Sequence, residues 1–85
     1  MLVVITWEDT ISDLQGWKNN TESKEWASEY QCLVKSAGWI IEENKEYVIL
    51  AGLIMNGGEE RETNYSHLLK IPRTAVKKVD TIGRL

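Results

Sequence analysis

Eighty-five residues make one domain, and a chain of this length buries only a little over ~60% of the surface its unfolded form exposes. Ten Lys/Arg against thirteen Asp/Glu leave a net charge of −3, which argues against a general nucleic-acid coat, because such affinity comes from many cations neutralising phosphates. One cysteine and one histidine can build neither a structural zinc site nor an intramolecular disulfide, so oligomerisation is the supplement left to a thin core.

The opening Met1-Leu2-Val3-Val4-Ile5-Thr6 lacks the basic start, long apolar run and small-residue cleavage site of a signal peptide. No stretch is long and apolar enough for a transmembrane helix, and the protein is expected in the cytoplasm with Cys32 reduced. Val3 to Trp7 is a β-branched run that ends in Glu8-Asp9, the pattern of a first strand. Trp7, Ile11 and Leu14 then recur at spacings of four and three, which predicts a helical turn or two stopped by Gly16. Trp17 to Lys24 reads as a polar loop with one large aromatic in it.

Glu25 to Glu43 holds the next strand pattern, with Trp26, Ser28, Tyr30, Cys32 and Val34 on one face. Its start is open, since Glu22, Trp26 and Tyr30 also keep helical spacing and the strand can begin as late as Gln31. Gly38, inside Ser36-Ala37-Gly38-Trp39, marks a bulge or a sharp bend by which a small sheet curls. After the charged turn Glu42 to Glu46, Tyr47 to Met55 is the most apolar strand and is expected at the centre. Asn56-Gly57-Gly58 ends it and Glu59 to Asn64 is a solvated loop. Asn64 to Ile71 forms another strand, Pro72 to Ala75 a single 3₁₀ turn, and Val76 to Ile82 the last strand. Five short strands, one glycine bend and one 3₁₀ turn predict a mainly β protein: a small five-stranded SH3-like or Sm-like barrel over residues 1–85, with an OB-fold as the nearest alternative.

Charge is unevenly placed along this chain. Lys70 to Leu85 carries five Lys/Arg against Asp80, a balance of +4, whereas Met1 to Leu69 carries five against twelve, a balance of −7. An anion or an interface is therefore expected near the end of the chain. Trp17, Tyr65, Lys70, Arg73 and Thr74 supply the π faces, cations and hydroxyl that hold a nucleobase and its phosphate. Trp7, Trp39 and Tyr47 are expected in the core or at a subunit interface.

Catalytic equipment is sparse. Cys32 sits in a strand pattern with His67 far along the chain, which reads as an inert thiol and a half-exposed histidine. The carboxylates gather as Glu8-Asp9, Glu42-Glu43 and Glu59-Glu60-x-Glu62 at turns, where solvated charge is the plain reading. No glycine-rich phosphate loop and no His-Glu-x-x-His pattern is present, so an enzyme is not expected, and neither is a metal or a cofactor.

Trp7-x-Asp9, Gly16-Trp17, Ser36-x-Gly38-Trp39-Ile40-Ile41-x-Glu43 and Ile71-Pro72-Arg73-x-x-Val76, in that order, resemble a group of short bacteriophage proteins. The chain also looks like a member of the anti-CBASS sponge type, oligomeric phage proteins that bind the cyclic di- or trinucleotide signals of bacterial immunity and keep them from their effectors. That resemblance implies a non-catalytic counter-defence protein in the cytoplasm of a bacterial host, a homo-oligomer that sequesters a cyclic nucleotide and has neither membrane nor DNA as partner. It would set Arg73 and Thr74 near phosphates and Trp17 or Tyr65 against a base. The alternatives are a barrel that inhibits or recruits a host protein, and an Sm-like RNA binder.

Overall fold

The computed structural model describes residues 1–55 and 63–83. Five strands and one helix follow in the order β1 (Leu2–Asp9), α1 (Asn20–Glu29), β2 (Cys32–Glu43), β3 (Tyr47–Met55), β4 (Asn64–Pro72), a 3₁₀ turn (Arg73–Ala75) and β5 (Val76–Gly83). All neighbours are antiparallel in one sheet of order β4-β3-β2-β1-β5. Among the described residues the sheet is open: β4 and β5 are its edges and no ladder joins them, so the structure shows a mainly β, five-stranded antiparallel sheet without the closure expected of a barrel. β3 has a neighbour on each side, but the middle strand is β2.

The curl is visible in what the core contains. Val3 and Ile5 of β1 share one buried cluster with Val48 and Leu50 of β3 and Ile71 of β4, although β1 and β3 are not neighbours in the sheet. A flat sheet would keep those residues apart; coiling brings one face of both halves together. Trp7, Ile40, Leu69, Ala75 and Val76 close over the rim of this cluster.

β2 makes the curl possible by changing partners. Residues 32 to 39 pair with β1, whereas residues 39 to 43 pair with β3, so Trp39 alone is bonded into both ladders. The β2–β3 register shifts between Ile40 and Glu42, which places the bulge just after Gly38 rather than at it. Gly38 has a different task. A Cβ there would stand 2.8 Å from the Ala51 carbonyl oxygen, so only glycine lets β3 come this close.

Two local expectations change. Thr10 to Lys18 forms no helix, and Ile11 and Leu14, whose spacing suggested one, both remain exposed. The helix lies later, at 20–29, within the stretch expected to be a loop and the start of a strand. Asn19 accepts from the Glu22 amide at 2.8 Å while Glu22 reaches back to the Asn19 amide, a reciprocal cap that starts the helix without tertiary help. The expected turn at 56–58 and loop at 59–62 lie outside the described residues.

Candidate functional site

Three residues of the motifs that carry the resemblance, Trp7, Ser36 and Arg73, hold the sheet together. The Trp7 indole donates to the Ser36 hydroxyl at 3.0 Å, which satisfies the polar edge of a half-buried ring across the β1–β2 ladder. Arg73 donates from Nε to the Asn44 carbonyl at 2.8 Å and from its terminal nitrogen to Glu43 at 3.1 Å, while its amide donates to the Glu46 carbonyl at 2.8 Å. The guanidinium thus clamps the 3₁₀ turn to the β2–β3 turn, whose backbone Asn44 also caps through its side chain. Its fork is largely committed to the fold.

Lys70 is engaged too, its ammonium 4.5 Å from the centre of the Tyr47 ring. Tyr65 and Lys70 lie opposite Ile54 and Ile49 respectively, and so point to opposite faces of the sheet. Thr74 lines a hollow of about 500 Å³ with Trp7, Glu8, Asp9 and Pro72. Trp17 stands fully exposed in the segment after β1. The five expected ligand-binding residues therefore do not converge on one site within a single chain.

A second and larger hollow, about 820 Å³, lies between residues 11–18 and α1. Ile11, Leu14, Trp26 and Tyr30 give it apolar patches, with the Trp26 and Tyr30 rings 6.3 Å apart. Asp13, Glu22, Glu25 and Glu29 line it against the single cation Lys18. The Lys18 ammonium pairs with Asp13, and together with the Gln15 amide it holds that carboxyl below the usual aspartate range. This hollow repels phosphate and attracts cations. No helix residue is buried, so α1 rests on its cap rather than on the sheet.

Sequence reasoning also passed over the backbone of His67. Its φ of 57° is a left-handed conformation, unusual for a side chain of this size in mid-strand, and it faces Gly52, where a Cβ would come within 3.1 Å of the His67 Cβ. Gly52–His67 is the one pair missing from the β3–β4 ladder, whose register is the same on either side of it. A glycine opposite a lone histidine was the only sign of it, and such a sign is readable only once the register is known.

Cys32 is a free, half-buried thiol. Among the described residues no three of His, Cys, Asp and Glu gather as a metal site, and no helix is long and apolar enough to cross a membrane. No family model matches the chain, and neither a curated protein nor a solved structure matches it.

Proposed function

We propose that this chain is a non-catalytic interaction module, an SH3-like sheet that displays residues 10–31 as its contact surface. The observation that carries this reading is the hollow of Ile11, Leu14, Trp26 and Tyr30 bordered by four carboxylates, beside a fully exposed Trp17. Exposed aromatic anchors ringed by charge are the make-up of protein-binding hot spots, and the acidic border selects a partner with a basic, amphipathic segment. The strand order and the 3₁₀ turn before β5 support the SH3-like assignment, as does the division of β2 between two half-sheets.

The test is capture of host proteins on immobilised wild-type chain and on Trp17→Ala. One stoichiometric partner that is lost with Trp17→Ala, while the melting temperature stays put, is the expected result. Equal capture by both proteins would overturn the role of this surface.

A second reading is favoured by the free π faces of Trp17 and Tyr65 together with the resemblance to cyclic-nucleotide sponges. In it the ligand lies between copies, where cations of one chain can supply what the acid-lined hollows of another lack. A panel of cyclic di- and trinucleotides in a thermal-shift assay separates the two readings, because a ligand of the folded state raises the melting temperature. A shift with one nucleotide would establish sequestration; no shift in folded protein would remove it.

A further inference from the structure

A single curled sheet buries one face and leaves the other to solvent, and here that outer face is not polar. Leu2 of β1, Trp39 of β2, Ala51 of β3 and Leu68 of β4 stand side by side in one row across four strands. Leu53 and Met55 continue the same face along β3. Leu53, Met55 and Leu68 are 54%, 62% and 60% exposed, so the core does not use them, whereas Leu2 and Trp39 are half-buried and Ala51 between them is already covered. None of these six residues is charged.

The band continues onto an arm with an unguarded edge. β3 pairs with β2 only through residues 48–51, and beyond Ala51 no described strand lies beside Gly52–Met55 on the side away from β4. β5, an outer edge of the sheet, is protected differently, by Lys77, Lys78, Asp80 and two register shifts. Gly52–Met55 has neither charge nor bulge.

The surface area says how much is left to cover. The chain exposes 6941 Å², about a third more than the ~5,200 Å² of a compact monomer of its mass. Its radius of gyration is 17.6 Å, against about 12 Å for a compact chain of 85 residues. The surplus of roughly 1,800 Å² is shared between this band and residues 10–31, where Leu14 and Trp17 are exposed, and it is more than twice the ~800 Å² that each partner gives to a standard interface.

We propose that two copies of this chain associate back to back through this outer band, with Trp39, Leu53 and Leu68 at the centre. A second copy is the occupant the observations favour, because a charge-free band offers no polar code for a foreign partner and a twofold axis sets the same apolar residues against each other. Its border carries both signs, Glu42 and Lys70 on either side of Ile49 in the next row and Lys35 and Lys78 with Asp80 farther along, so one copy meets another without a wall of like charge. The band lies on the sheet and not on residues 10–31, so it is independent of the contact surface proposed above.

Analytical ultracentrifugation of the full chain and of Leu53→Lys/Leu68→Lys, which sets like charges against each other across a twofold axis, tests this. Wild type is expected as a dimer at micromolar concentration, and the double variant as a folded monomer, its affinity weakened about 30-fold or more. Trp17→Ala should stay dimeric. A monomeric wild type, or a variant that still dimerises, overturns the proposal. If the double variant does not fold, Met55→Lys alone gives the answer, since Met55 lies on the arm outside the core. Capture of a host protein by a monomeric wild type would leave the residues 10–31 reading standing while this one falls.

Discussion

The sheet and the segment 10–31 are built on opposite terms. In the sheet, Trp7 and the cations Lys70 and Arg73 are tied down: the Trp7 indole by Ser36, Arg73 by Asn44 and Glu43, and Lys70 by the Tyr47 ring. In residues 10–31 the aromatics Trp17 and Tyr30 and the apolar Leu14 are exposed, and none of the helix is buried. Residues that look like ligands in the sequence can thus be fold residues, and the segment 10–31 is where the fold makes fewest demands. Short motifs that hold a sheet together say little about what the sheet binds.

That contrast can be broken most sharply in the core. Ile5→Ala removes a side chain with no exposure from the cluster joining both half-sheets, and should cost about 2–5 kcal/mol in urea unfolding. Gly38→Ala places a methyl against the Ala51 carbonyl and should cost about 1–3 kcal/mol, read by the same melt; a neutral result would mean β3 can move away freely. Arg73→Ala should lose about 1 kcal/mol through its clamp on the β2–β3 turn. A double-mutant cycle with Glu43→Ala should assign only ~0.5 kcal/mol of that to the ion pair, which is partly exposed.

The smallest effect belongs to Asp13. Its folded carboxyl titrates below the ordinary aspartate value because Lys18 and the Gln15 amide favour the charged form. Its contribution is therefore present above that ordinary value and is lost as pH falls through the lowered one. Protection of the Gln15 amide relative to its intrinsic exchange rate should fall on acidification, while β1 and β3 keep their protection. If both regions loosened together, the segment would be coupled to the sheet and the contrast drawn here would fail.

Much of the fold was legible because strand alternation is local. Tyr47–Met55 has the bounds its composition indicates, and the strands at Asn64 and Val76 each run one residue further than their patterns. The helix was obscured because Trp26 and Tyr30 fit both periods, and the deciding sign was the Asn19-x-x-Glu22 cap rather than the apolar spacing. Barrel closure was not legible, since it depends on whether β4 and β5 meet, and no local pattern specifies that. The candidate site was the least legible part. Arg73 and Glu43 are thirty residues apart, so nothing in the sequence shows that the cation already has a carboxylate beside it.

The position of β1 between β2 and β5 also sets an order of assembly. Val3 pairs with Thr81, across nearly the whole chain, whereas β3 and β4 form between near neighbours in sequence. Closing that long loop is slow, so the β2–β3–β4 meander is expected to form first, with β5 docking last. Until β5 arrives, β1 with its β-branched run Val3-Val4-Ile5-Thr6 waits with one side unpaired, and the nascent chain is at its most prone to stick to others.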